Sequence, residues 1–319
     1  MRPTATASAP LRYRSRCAAS VVLTLVGLVA AACSSTAAPV SHARTPSIPA
    51  RSSPARSAYG GVTSGNPHLA TVASLDFGDQ LTAATTAFSA ALNSLQAAVA
   101  SGDLPAARTD ELAAQADYDS FRTLADAAAP DVPRIDLLSS DVGPDRTFTG
   151  LHAVERDLWT SGPAAADVGA LVGRTPIEHL LMARPLLVTH QWFDPEAIGS
   201  TAVDELTWVV DEALPVDQEQ FSHLGLVDID ATTQAAEQAF TAIEPLARQV
   251  DPTATYQVAA QFTALLADEH ALGDPATVSD STISPSARLT LSHQVDATAS
   301  TLAGLTALLA PFGTNGGGS

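Results

Sequence analysis

The chain has no lysine: its sixteen basic residues are all arginine, set against thirty-four aspartates and glutamates, for a formal net charge of −18 over 319 residues. So little positive charge makes nucleic acid and anionic lipid poor partners, and cations good ones. The uniform choice of arginine reads as a coding bias of the source, not as a functional signal. Aromatic residues make up only 5% of the chain, and the abundant alanine, the strongest intrinsic helix former, favours close-packed helices instead. No series of strands and turns is legible. The H-E-x-x-H pattern typical of a catalytic zinc site is also missing. Cysteine is nearly absent, with Cys17 and Cys33 the only two.

Only one apolar run is long, residues 18–32, and at about fifteen residues it is too short to span a bilayer comfortably. Arg12, Arg14 and Arg16 precede it, and it ends in Ala30-Ala31-Ala32-Cys33 followed by Ser34 and Ser35. A charged start, an apolar middle and a small-residue end make a secretion signal. Small residues directly before a cysteine resemble a bacterial lipobox, in which Cys33 carries the lipid; the alternative is an ordinary signal peptide cut after an A-x-A site. Cys17 falls in the part removed, so the mature chain has no disulfide and no thiol for metal or catalysis. Every acidic residue follows Cys33 and four arginines precede it, which gives the mature chain a charge of about −22. Residues 34–66, rich in Ser, Ala, Pro, Thr and Gly, read as a flexible tether. Residues 313–319 read as a disordered tail.

Residues 67–312 carry helical periodicity almost throughout. Leu81, Ala84, Phe88, Ala91, Leu92 and Leu95 recur at threes and fours until Ser101-Gly102-Asp103 breaks the helix. A second helix is expected over 104–129, with Tyr118, Phe121 and Leu124 inward and Pro130 and Pro133 ending it. Further helices are expected over 149–159, 165–187, 194–214, 231–249, 253–271 and 286–311, with residues 227–230 a non-helical lead-in. The fold class is therefore all-α, an antiparallel helical assembly, expected as two four-helix bundles packed together.

Thr149-Gly150-Leu151-His152-Ala153-Val154-Glu155-Arg156-Asp157-Leu158-Trp159 holds the main chemical signal. Residues three apart share one face of a helix, so His152 and Glu155 can address one ion. Imidazole with carboxylate suits iron, zinc or copper. On spacing alone, H-x-x-E fits a surface histidine beside a surface glutamate equally well. The wider segment resembles the T-G-[FY]-H-x-[IL]-E-[KR]-x-L-[WF] signature of the EfeO/EfeM (imelysin-like) iron-uptake lipoproteins. Two further blocks are similar to that family: Tyr118-Asp119-Ser120-Phe121 through Arg134-Ile135-Asp136, and Phe221-Ser222-His223-Leu224-Gly225-Leu226-Val227-Asp228. The resemblance covers about residues 70–312 in the order of the family and matches its short form, without a cupredoxin-like domain.

That resemblance implies metal ligands at His152, Glu155, Asp119 and Asp136, and at Glu212 on the long middle helix. Arg122 stands where the family has a second glutamate. It either pairs with Asp119 or Asp136 and fills the site without metal, or leaves fewer carboxylates around one ion. Gly225 replaces an aspartate of the third block. The implied role is non-enzymatic: a lipoprotein on the outer face of the bacterial cell membrane that holds iron, with Zn2+ or Cu2+ as alternatives, and presents it to a membrane iron permease alongside a haem peroxidase. A zinc metallopeptidase and a non-catalytic envelope scaffold are the competing readings. Elsewhere, His223 suits a capping bond as well as a ligand role, and Glu178 and His179 diverge by about 100° on a helix. Asp268, Glu269 and His270 read mostly as a solvated face. Trp159, Trp192 and Trp208 read as core anchors, and His42 and His68 lie in or beside the tether.

Overall fold

Five helices begin with the same short device, a polar cap followed by proline in the first turn. Asn66 caps α1 (Pro67–Ser101), Asp103 caps α2 (Leu104–Asp119), Asp194 caps α5 (Pro195–Trp208), Asp251 caps α7 (Pro252–Ala271) and Ser284 caps α8 (Pro285–Ala307). In each, the cap side chain accepts a backbone N–H that the helix cannot satisfy, while proline lacks the donor that would otherwise be left over. The computed structural model describes residues 66–128, 135–142, 147–161, 167–169, 193–216 and 218–312, and among these there is no strand. All of them fall within one unit of the chain, Ser57–Ser319. The signal run, Cys33, the tether, the tail and most of the helix expected at 165–187 lie outside the described residues.

The remaining boundaries differ from expectation in instructive ways. The long second helix is two: α2 stops at Asp119, a turn takes up Ser120 and Phe121, and α3 (Arg122–Ala128) follows. The helix α4 (Leu151–Arg156) widens into a π-turn over Asp157–Ser161, and α5 does the same over Val209–Ala213. The largest correction is at α6 (Leu226–Val250), where residues 227–230 are helical instead of a lead-in. The alternation of Val227 and Ile229 with aspartates hides the helix in the sequence. Burial of Val227, Asp228 and Ile229 against neighbouring elements overrides that weak local preference.

Helices α5, α6, α7 and α8 close a four-helix bundle, each packed on two of the others. A two-residue turn folds α1 and α2 into a hairpin that packs chiefly on α6, with α1 also touching α5, α3 on α5 and α4 on α2. Among the described residues, then, one bundle is complete, and the α1–α2 hairpin and α3 pack against its α5 and α6. Phe121 meets Phe88 and Tyr118 edge-on at 5.7 and 5.5 Å between ring centres, Phe88 and Tyr118 are tilted at 5.8 Å, and Phe240 stacks on Phe262 at 5.7 Å. Trp159 and Trp208 pack against this core, as expected of anchors. Trp192 lies outside the described residues.

Asp268 and His270 are exposed, but Glu269 between them is fully buried, so the expectation of a solvated face fails at that residue. Three consecutive helical residues sweep about 200°, so the middle one can face the core while both flanks stay wet. Glu269 accepts a 2.8 Å bond from Thr233 Oγ1 on α6, and its other oxygen has no donor. Burial pushes its carboxyl up to about 8, Asp230 adds to the rise, and the Thr233 bond opposes it. A carboxyl raised in the folded state gives stability that is complete below about pH 4.5 and is lost as pH climbs through 8. Glu269→Gln is therefore expected to match the wild type in thermal melts near pH 4.5 and to exceed it by about 5–10 °C at pH 9. A constant difference across that range would contradict the assignment.

Candidate metal centre

The polar interior begins on α2. Glu111, Gln115 and Asp119 sit four residues apart, which aligns them in one stripe, and all three are buried. Opposite them, α4 is fixed at its start by Gly150, whose φ of 103° belongs to the region glycine tolerates. The Leu151 N–H donates to the Ile135 carbonyl at 2.8 Å. That contact ties the segment carrying Asp136 to the helix carrying His152 and Glu155. Glu155 Oε1 in turn accepts the backbone N–H groups of Phe221 and Ser222 at 2.9 and 2.7 Å, which seats the loop bearing Glu219. Asp228 and Thr232, one turn apart on α6, Glu205 on α5 and Arg122 on α3 complete the cluster.

At the centre, His152 Nδ1 lies 3.4 Å from Glu155 Oε2 and 3.6 Å from Glu219 Oε1. A ligand atom from each of the three residues lies within 4.8 Å of the other two, and each residue is 1% exposed or less. Two donors bound at about 2.1 Å in a tetrahedral arrangement stand about 3.4 Å apart, so the spacing fits ligands awaiting one small ion. The other ring nitrogen, Nε2, is 2.8 Å from Asp136 Oδ1, a short contact poorly aligned for a hydrogen bond and foremost ionic. A carboxylate behind a histidine fixes which nitrogen keeps the proton and turns the other towards the metal. Asp136 thus orients a ligand more than it acts as one. No family model matches the chain, and no curated protein matches it. What the centre can do is read from its own chemistry.

That chemistry is dominated by excess negative charge. Glu111, Asp119, Asp136, Glu155, Glu205, Glu219 and Asp228 face one guanidinium and one imidazole. Both oxygens of Glu111 and of Asp228, together with Glu219 Oε1 and Glu205 Oε2, have no hydrogen-bond donor. Burial drives Glu111, Glu219 and Asp228 well above the usual carboxylate range. Carboxylate neighbours add to this: Glu155 beside Glu111, Asp228 beside Glu219, Asp119 beside Asp228. Burial likewise pushes Asp119 up to about 7 against the pull of Arg122, and raises Glu205. Asp136 goes the other way: burial opposes its ionisation, but His152, Arg122 and a bond from Gln115 hold it down to about 2. Burial is also outweighed at Glu155, which His152 and the two backbone N–H groups keep low. Although burial favours a neutral ring, Asp136, Glu155 and Glu219 hold the proton on His152 well above its ordinary range.

Of the residues expected from sequence, Asp119, Asp136, His152 and Glu155 come together. Glu212 does not: it is exposed. Seven residues before it, Glu205 faces inward, and a continuous α-helix would put both on nearly the same face. The π-turn at Val209–Ala213 breaks that register and swings Glu212 outward. Arg122 pairs with Asp119 at 2.9 Å and stands 3.8 Å from Asp136, the two acids it was expected to meet. His223 is exposed, at a positive φ of 59°, and outside the three-residue centre. Gly225 makes room for Asp280: its N–H donates to Asp280 Oδ2 at 3.1 Å, and an added Cβ would stand 2.7 Å from that oxygen. Glu178 and His179 lie outside the described residues. Glu111, Glu205, Glu219 and Asp228 were not singled out as ligands. Glu111 and Glu205 occupy apolar stripes, which was a usable signal, whereas Glu219 sits in an aperiodic loop.

A buried carboxylate without donors destabilises the metal-free chain, and asparagine at the same place supplies donors to its neighbours. In chelator at pH 8, Asp228→Asn is expected to raise stability by about 1–3 kcal/mol, while Glu212→Gln changes it by less than ~0.5 kcal/mol. Paired thermal or denaturant melts measure both.

Proposed function

We propose that this chain is a cell-envelope lipoprotein that binds iron through His152, Glu155 and Glu219 and presents it to a membrane permease. The observation that carries the reading is the convergence of one imidazole and two carboxylates, fully buried, inside a cluster whose other acids have oxygens left without donors. Carboxylates with a single histidine favour hard or borderline ions such as iron, with Zn2+ next and Cu(I) disfavoured. Glu155 is preset by two backbone bonds and His152 by Asp136, so little ordering remains to be done when an ion arrives. Asp136, with 12% of its side chain exposed, is the wettest of the acids around the imidazole.

Enclosure also argues for holding an ion over cutting a peptide. A hydrolytic metal needs an open position that substrate can reach, and these three ligands are sealed from anything as large as a polypeptide backbone. The exported, lipid-anchored location rests on residues 18–33, and the permease and haem peroxidase partners rest on the resemblance of the three sequence blocks. Among the described residues no helix is long and apolar enough to cross a membrane.

Titration of the purified chain with Fe2+, Fe3+, Zn2+ and Cu2+ at neutral pH tests the reading. Binding of iron is expected, weakened at least ~100-fold by His152→Ala or Glu219→Gln and about 10–100-fold by Asp136→Asn, and unchanged by Glu212→Gln. A wild-type chain that takes up none of these ions would sink the proposal.

A further inference from the structure

We infer that Arg122 is a built-in cation occupying one half of the acid cluster, so that the centre accepts a single metal ion beside it. The inference rests on the metal-binding reading above and concerns how many ions that site takes. Arg122 is buried, and three carboxylates from three separate elements converge on its guanidinium. Nη1 lies 2.9 Å from Asp119 Oδ1 on α2 and 3.8 Å from Asp136 Oδ2, and Nη2 lies 3.6 Å from Glu205 Oε2 on α5. Nη2 also stands 3.5 Å from Thr232 Oγ1 on α6. Its Cζ lies over the Trp208 ring, 3.2 Å from the ring centre, a cation–π contact that helps to hold the charge in place.

These contacts make a second cation position, distinct from the one framed by His152, Glu155 and Glu219. Asp136 joins the two, with Oδ1 on His152 Nε2 and Oδ2 on Arg122. Three carboxylates gathered from different elements in a dry interior are what a hard divalent ion requires. Here that requirement is met by a tethered charge that cannot leave. Removing the guanidinium would leave Asp119 and Glu205 without their counter-ion and Asp136 with His152 alone, and a second metal ion is the cation available to replace it. A role confined to packing would not move the number of ions bound.

The test is metal content and calorimetric stoichiometry of the full chain with Fe2+ under anaerobic conditions. Wild type and Arg122→Lys are expected to bind one equivalent and Arg122→Gln two. Adding Asp119→Asn to Arg122→Gln is expected to return the count to one. A folded Arg122→Gln chain that still binds one equivalent, or a wild type that already binds two, overturns the inference. Zero for every variant overturns the metal reading and the inference with it. If Arg122→Gln does not fold in chelator, refolding with Fe2+ is expected to restore its helical spectrum with two equivalents bound. A chain that stays unfolded, or refolds with one, again overturns it.

Discussion

The organising constraint in this protein is the burial of more carboxylates than there are cations to meet them. Removing an ion from water costs several kcal/mol unless an opposite charge and hydrogen bonds replace the solvent. Around His152 that replacement is incomplete, since Glu111, Glu205, Glu219 and Asp228 all present oxygens without donors. Protons can fill part of the deficit, in keeping with the way burial lifts Asp119 to about 7 and drives Glu111 and Asp228 well above the usual carboxylate range. An interior of this kind is a poor core for its own sake. In the proposed role, a bound cation would supply the missing charge.

The fold supplies what such a cluster demands, namely ligands from many elements held in rigid register. No short helix can bring so many acids to one point, because only residues three or four apart share a face. The sharing of α5 and α6 between the closed bundle and the α1–α2 hairpin puts the acids of α2 against those of α5 and α6. Backbone bonds do the finer positioning: Leu151 to Ile135 sets His152 against Asp136, and Phe221 and Ser222 to Glu155 bring Glu219 in. The apolar contacts of Phe88, Tyr118 and Phe121 lie on α1, α2 and the turn before α3, so packing there also anchors Asp119 and Arg122.

Much of this was legible beforehand, and the reasons for the misses are physical. Caps such as Asp194-Pro195 and Asp251-Pro252 announce helix starts because both their polar and steric logic is local. His152 and Glu155 were legible because helical spacing is local as well. The resemblance pointed to Glu212, and no local pattern announces the π-turn that swings it outward while Glu205, seven residues earlier, faces in. Asp228 was lost with the first turn of α6, where tertiary burial decides the conformation. Glu219 depends on a loop held by bonds to Glu155, sixty-odd residues away in the chain, and no local pattern announces that pairing.

The same geometry explains how such a site could both hold and release its cargo. Asp136 faces Nε2 of His152 while Glu155 and Glu219 face Nδ1, so the acids around the ring favour a proton on each nitrogen when no metal is bound. An arriving ion needs the Nδ1 lone pair, so it must displace that proton, whereas the Nε2 proton can stay on Asp136. Ion and proton therefore compete for one atom, and the acids around it sharpen the contest by favouring whichever cation is present. In the proposed role, acid would return the proton and free the ion, and a rise in pH would favour the metal. Arg122 stays out of this exchange because its charge is permanent, and it leaves Asp136 half committed to a cation that never departs.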